Sequence, residues 1–198
     1  MNRVLLLDDR VDRINNHMSL AAIKELYNLC DSDNLKIVSD LPLDLDSLKS
    51  LFDYYSMLIL HRSYLLDNGM LNVIEEYSKN KNIFLIIFSG GISQNLILNN
   101  RMRLNINSAN LYTSNFPSFI RSYINGDIDE PLLQLLYGDN WRKVLLINLR
   151  NLCWMPDPSK SIKKLKKSFL SALGITQDNV GVEHINKLID KEENDIEI

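Results

Sequence analysis

The residues of this chain best placed to do chemistry are polar side chains that follow directly on short apolar runs. Two adjacent carboxylates, Asp8 and Asp9, follow the first such run, and His61 and Arg62 follow a later one. Paired carboxylates suit a divalent cation, an imidazole can change its charge near neutral pH, and a guanidinium suits a carboxylate or a phosphate. These four residues are therefore candidates for binding a ligand or an ion.

A third candidate follows the most apolar run of the chain, residues 83–88. Ser89, Gly90 and Gly91 stand there, ahead of a segment that is predicted to be a helix. Backbone N–H groups of such a turn can cradle an anion. No lysine or glycine-rich nucleotide motif accompanies them, so nucleotide binding is unsupported. A tight turn between a strand and a helix explains the two glycines equally well.

Structural roles compete with each of these functional interpretations. Asp9 can cap the first helix, whose positive N-terminal end also favours both carboxylates. His61 can be a hydrogen-bonded structural residue at the end of its strand. The two cysteines, Cys30 and Cys153, are far apart and match no metal-binding spacing. No nucleophile motif or zinc-protease motif is present, so we expect no enzymatic activity, no bound metal and no cofactor.

The elements that must position these residues alternate along the first part of the chain. Five strand-like runs alternate with five helix-like segments, at loop lengths typical of short strand–helix units. The pattern predicts an α/β domain over residues 1–126, a flavodoxin-like, doubly wound, five-stranded parallel sheet whose sites lie at the carboxyl edge. Four finer predictions are a helix at residues 11–29, a polar loop at 62–69, a helix at 92–104 and a fifth strand at 109–113.

With these residues in these places, the chain resembles the receiver domain of bacterial response regulators. Receivers carry an acidic pair after the first strand, where Asp8 and Asp9 stand. They carry a serine or threonine after the fourth strand, where Ser89 stands. The resemblance covers roughly residues 2–125 and implies a cytoplasmic regulatory domain.

Two positions depart from the receiver pattern, and both carry its chemistry. The third strand ends on His61 where receivers have the aspartate that is phosphorylated. Ser114 or Asn115 stands where receivers have a lysine. An imidazole is a poor ligand for the hard cation that the reaction needs, and without the lysine the developing charge loses a counterion. We therefore expect a pseudo-receiver that forms no aspartyl phosphate.

Residues 127–198 predict a small, all-helical region with unevenly placed charge. Residues 139–175 carry a net charge of +6 and residues 176–198 a net charge of −5, within a chain of net charge −3. A lysine-rich helix at 159–173, a turn at 173–176 and a helix at 178–191 resemble the helix-turn-helix of many response-regulator output domains. In that interpretation the candidate nucleic-acid contacts are Lys160, Lys163, Lys164, Lys167, Gln177, Asn179 and Lys187.

These observations leave three hypotheses about function. The first is a non-phosphorylatable regulatory protein that binds a protein partner or a second copy of itself. The second is an atypical response regulator that binds DNA, although the acidic second helix would repel phosphates. The third is an enzyme with its site at the carboxyl edge of the sheet. No apolar run is long enough to cross a membrane, and nothing at the N-terminus resembles a signal peptide, so we expect a cytoplasmic protein.

Overall fold

The structure is a computed structural model, and it describes residues 2–10, 12–92, 96–97, 103–155, 159–176 and 180–194. The chain divides into two compact units, Met1–Leu136 and Tyr137–Ile198. The boundary predicted from the sequence lies ten residues earlier, after residue 126.

The first unit is built on one sheet. Its strands are β1 (Val4–Leu7), β2 (Leu35–Val38), β3 (Met57–His61), β4 (Phe84–Ser89), β5 (Leu96–Ile97) and β6 (Arg103–Asn107). They lie in the order β2-β1-β3-β4-β6-β5, in which the two-residue β5 runs antiparallel to β6 and the other five strands are parallel. The predicted doubly wound, five-stranded parallel sheet of the flavodoxin-like class is confirmed.

The central strands are the apolar runs of the sequence. Every residue of β1 and β3 is buried, as are the first five residues of β4. A strand covered by helices on both faces has no solvent side, and its sequence is therefore apolar throughout rather than alternating.

Helices cover both faces of this sheet. They are α1 (Asp12–His17), α2 (Leu20–Asp31), α3 (Leu45–Phe52), α4 (Arg62–Asp67), α5 (Leu71–Lys81), α6 (Ser108–Leu111), α7 (Asn115–Asn125) and α8 (Asp129–Tyr137). Phe52 of α3 and Ile74 of α5 belong to one apolar cluster with Leu7 and Leu60 of the sheet. Tyr123 of α7 contacts Phe84 of β4, and α7 also packs against α2.

Two predicted elements near the first site differ in the structure. The single helix expected at residues 11–29 is two helices, because Ser19 caps a new one by accepting a hydrogen bond from the Ala22 N–H. The polar loop expected at residues 62–69 is wrong, since α4 occupies most of it. Leu65 is completely buried there, and Tyr64 packs against the same apolar cluster, so both side chains anchor the helix.

The last strand of the sheet was also misplaced. The strand predicted at residues 109–113 is wrong: α6 begins at Ser108, and Asn107 caps it by accepting a hydrogen bond from the Ala109 N–H at 2.8 Å. The fifth parallel strand is β6, which falls partly within the helix predicted at 92–104. That helix is wrong at residues 96–97 and 103–104, which are strand, and residues 93–95 and 98–102 lie outside the described part of the chain.

The second unit consists of helices over its described residues. They are α9 (Trp141–Cys153), α10 (Lys160–Ala172) and α11 (Val182–Asn194), and the first residue of the unit, Tyr137, ends α8. Helix α9 packs against both α10 and α11. Arg142 of α9 forms an ion pair with Glu192 of α11 at 3.0 Å. The predicted small, all-helical region is confirmed for the described residues.

Candidate functional site

The first candidate site lies where two neighbouring strands end. Strands β1 and β3 pair in parallel with Leu7 opposite Leu60, so the residues that follow, Asp8 and His61, come at the same level of the sheet. Strand β2, which follows β1 in the chain, lies on one side of β1, and β3 and the later strands lie on the other side. This is the topological switch point, where open parallel sheets of this type bind their ligands.

Asp8 is completely buried, and both of its carboxylate oxygens have partners from the chain itself. Its Oδ1 accepts hydrogen bonds from the backbone N–H of Arg10 at 3.0 Å and from Nη1 of Arg13 at 2.8 Å. Its Oδ2 accepts a hydrogen bond from the Tyr112 hydroxyl at 2.5 Å. A buried carboxylate needs such donors, because an unpaired buried charge is strongly destabilising.

Tyr112 reaches Asp8 from a distant part of the chain. It follows α6 as its C-cap, and its ring is buried edge-on against Phe88 of β4 and Phe116 of α7. Burial raises the pKa of Tyr112 well above its usual range, and the neighbouring Asp8 carboxylate raises that pKa further. The phenol is therefore neutral and acts as a permanent hydrogen-bond donor to Asp8.

Asp9 and His61 form a second pair beside the first. His61 Nδ1 lies 2.5 Å from Asp9 Oδ1, and the imidazole packs on the Phe88 ring with the ring centroids 5.2 Å apart. The side chain of His61 is 6% exposed and that of Asp9 is 32% exposed. The carboxylate fixes the orientation of the ring and favours a proton on Nδ1.

Asp8, Asp9 and His61 also present the ligand types of a metal site. One ligand atom from each lies within 4.8 Å of the others. Two carboxylates and an imidazole suit a transition metal better than Mg²⁺. However, a cation there would have to displace the Tyr112 hydroxyl or lie beside the Arg13 guanidinium, which already neutralises Asp8. The geometry as it stands is that of a closed internal network.

The other predicted ligand residues of this edge lie outside that network. Arg62 is exposed at the first position of α4. The turn of Ser89, Gly90 and Gly91 uses its own donors: the Gly91 N–H donates to Ser89 Oγ at 3.3 Å and the Ile92 N–H to the Ser89 carbonyl at 3.3 Å. An anion cradle at this turn is thereby disfavoured, because two of its amides are already engaged.

Asn107 explains the shape of this turn instead. Its side-chain amide donates hydrogen bonds to the carbonyl oxygens of Gly90 and Ile92. Asn107 ends the last parallel strand and Ser108 follows it. The expectation that Ser114 or Asn115 follows this strand is wrong, because Ser114 precedes α7 and Asn115 begins it. Neither Asn107 nor Ser108 carries a positive charge.

Sequence reasoning missed Arg13 and Tyr112, the two residues that close the network on Asp8. Arg13 could have been recognised from the sequence, since it lies in the first turn of the helix that follows the acidic pair. Tyr112 carried none, because it is 104 residues from Asp8 in the chain and its segment was assigned to a strand. Burial of an aromatic ring beside a strand end can be recognised only when the order of the sheet is known.

The nucleic-acid candidates fall in the second unit. Lys160, Lys163, Lys164 and Lys167 are exposed on α10, and Lys187 is exposed on α11. Gln177 and Asn179 lie outside the described residues.

Comparison with known proteins gives no matching family model and no significant match among curated sequences. Within the described residues, no helix is long and apolar enough to span a membrane.

Proposed function

We propose that the first unit is a receiver-like regulatory module that works in the cytoplasm without phosphorylation and acts by binding a protein. The observation that carries the proposal is the closed network at the switch point. Both oxygens of Asp8 are held by Arg13 and Tyr112, and Asp9 is held by His61. A receiver uses this place to collect Mg²⁺ and a phosphoryl group, and here the chain's own side chains neutralise it.

The chemistry of phosphotransfer supports the same proposal. The nucleophile would have to be His61, whose Nδ1 is engaged by Asp9 and whose side chain is almost fully buried. A nucleophile must be reachable by the phosphoryl donor and activated by its surroundings. The third-strand position of this chain offers neither a carboxylate nor access.

Exposed apolar side chains support the binding of a protein. Leu43 is 73% exposed and Leu45 is 48% exposed at the start of α3, and Leu66 on α4 is 51% exposed. The Tyr64 hydroxyl accepts a hydrogen bond from the Leu41 N–H at 2.9 Å, which holds the segment before α3 against α4. A patch of exposed aliphatic side chains is typical of an interaction surface.

Two measurements test this proposal. The intact protein is incubated with acetyl phosphate and Mg²⁺ at neutral pH beside a conventional receiver domain, and its mass is recorded without acid treatment. We expect the mass to stay unchanged while the conventional receiver gains a phosphoryl group. A stoichiometric gain in this protein would refute a phosphorylation-independent module.

The second measurement concerns the partner. The oligomeric state and the proteins crosslinked in the native cell are compared for the wild type, for Leu43→Asp/Leu45→Asp, and for the matched control Ser47→Asp/Ser50→Asp. The control adds two carboxylates at exposed positions of α3 and changes the net charge equally. We expect an association that the first variant loses and the control keeps. Equal behaviour of all three proteins would refute binding through this surface.

The two other hypotheses have weaker support. A helix-turn-helix would present α11 to DNA, yet exposed Glu183 and Asp190 lie on that helix, and phosphates would repel them. An enzyme at the carboxyl edge would depend on the Asp9–His61 pair, in which the imidazole is largely covered.

A further inference from the structure

Helix α10 carries an uncompensated positive face. Its exposed lysines, Lys160, Lys163, Lys164 and Lys167, recur at helical spacings of three and four residues and therefore share one side of the helix. Lys166 adds a fifth charge beside them, and no acidic residue occurs anywhere in α10. Among the described residues, none of these lysines forms an ion pair, whereas α9 has its Arg142 paired with Glu192.

This arrangement works against the stability of the helix. Like charges three or four residues apart destabilise a helix by mutual repulsion. Lys160, Lys163 and Lys164 also lie in its first turns, where the helix dipole favours acidic side chains and disfavours basic ones. A helix that served only to pack on its neighbours would have no need of such a face.

The apolar side of α10 is already occupied. Phe169 and Leu173 are 7% and 6% exposed, and α10 packs against α9. A helix that lies in a membrane surface inserts its apolar face between the lipids. Here Phe169 is buried within the protein and Ile162 and Leu165 are half-buried, so the lysine face is the most exposed side of the helix.

We propose that the lysine face of α10 binds the phosphodiester backbone of a nucleic acid without reading its sequence. Lys160 and Lys167 are about 10 Å apart along the helix axis, a length over which one DNA strand carries about three phosphates. The four lysines on the convex surface of α10 are therefore spaced about as closely as the phosphates of one strand. Lysine is a flexible point charge, and α10 contains no Arg, Asn or Gln to contact base edges. The proposal is independent of the phosphorylation-independent module proposed for the first unit.

The test measures binding of the full chain to a labelled mixed-sequence single strand, in DNA and RNA forms, and to the DNA duplex, by fluorescence anisotropy. Four backbone contacts predict that affinity for the duplex falls about 100-fold between 50 and 200 mM salt. The variant carries Lys160→Gln, Lys163→Gln, Lys164→Gln and Lys167→Gln. The matched control carries Lys24→Gln, Lys36→Gln, Lys49→Gln and Lys79→Gln, four exposed lysines of the first unit.

We expect the α10 variant to bind at least tenfold more weakly at 50 mM salt and to lose most of the salt dependence, while the control binds as the wild type does. Retained circular dichroism shows that the variant is folded, and removal of the repulsion favours this. Preference for the single strand or the duplex, and for DNA or RNA, identifies the natural source of the backbone. The proposal is overturned if the wild type does not bind at 50 mM salt, if the control weakens binding equally, or if polyglutamate or anionic vesicles bind as tightly as nucleic acid.

Discussion

At the scale of single residues, the central feature is a carboxylate that the protein buries and then satisfies internally. Asp8 has no contact with solvent, and its charge is met by one guanidinium, one phenol and one backbone amide. Removing one partner from a buried carboxylate costs more than the interaction itself contributes, because the oxygen left behind has lost its water as well. Loss of any one of these partners is therefore expected to destabilise the fold.

The first prediction concerns Tyr112→Phe, which keeps the buried ring and removes only the hydroxyl. We expect it to lower the free energy of unfolding at pH 7 by about 1–3 kcal/mol, the usual penalty for an unsatisfied buried acceptor. The measurement is urea unfolding, with Tyr54→Phe as the control because Tyr54 is 68% exposed. Equal stability of the two variants would show that Oδ2 of Asp8 finds another donor.

The same pair of proteins has a defined pH dependence. The folded-state pKa of Tyr112 is raised above its ordinary value of 10.0, so its contribution to stability is fully present below pH 10. As the pH rises above 10, the unfolded chain releases the phenolic proton and the folded protein does not, which stabilises the unfolded state. The gap between wild type and Tyr112→Phe should therefore narrow by about 1.4 kcal/mol between pH 9 and pH 11. A gap that is constant across this range would contradict a buried neutral phenol.

The sequence predicted the site only in part, and for a physical reason. Asp8, Asp9 and His61 follow apolar runs that form adjacent central strands, so the order of the chain alone brings them to one edge. Tyr112 is brought there by the packing of its ring against Phe88 and Phe116. That packing depends on three-dimensional neighbours and leaves no periodic signal in the sequence.

At the scale of elements, two capping side chains explain where helices and strands differ from those predicted by the spacing of apolar residues. The apolar spacing over residues 11–29 suits one helix, yet the serine at position 19 accepts the Ala22 N–H and starts a second helix. Likewise Asn107 caps α6 and ends β6. In β6 the buried Leu104 and Ile106 alternate with half-buried polar residues, a pattern of period two that is easily mistaken for a polar helix. The central strands could be predicted because a completely buried strand must be apolar throughout. In β6 only alternate residues are buried, so burial restricts the type of every second residue only.

The second prediction tests the break between α1 and α2. Ser19→Ala should lower the free energy of unfolding by about 1 kcal/mol, since the first turn of α2 loses the acceptor for one of its free N–H groups. Ser19→Asp should retain most of the stability, because its carboxylate can cap the same turn. Thermal or urea unfolding of both variants provides the measurement, with exposed Ser50→Ala on α3 as a control for the loss of a hydroxyl. Full stability of Ser19→Ala would mean that the cap is dispensable.

At the scale of the whole molecule, the two units differ in their charge as well as their architecture. In the first unit, which has an α/β sheet, Asp8 and Asp9 have partners from the chain itself. The second unit consists of helices over its described residues, and the lysines of α10 are exposed. Six of the nine acidic residues of the second unit lie on α11 or after it, and one of them, Glu192, pairs with Arg142 of α9. Among the described residues, none pairs with the lysines of α10. Net charge over the complete chain, −3, hides this separation.

The division between the units provides the last prediction. The first unit extends to Leu136 because α8 is tied to it: the Asn110 side chain donates to the Leu136 carbonyl at 3.0 Å and the Asn115 side chain to the Gln134 carbonyl at 3.4 Å. A fragment of residues 1–136 keeps both acceptors, and a fragment of residues 1–126 loses them. We expect the longer fragment to unfold cooperatively with slow amide exchange in β1, β3 and β4. The shorter one should be less stable by about 1–3 kcal/mol, because it loses two hydrogen bonds that each contribute about 0.5–1.5 kcal/mol. If both fragments exchange at the same rate, α8 belongs to the helical unit, and the earlier boundary that the sequence predicts is the correct one.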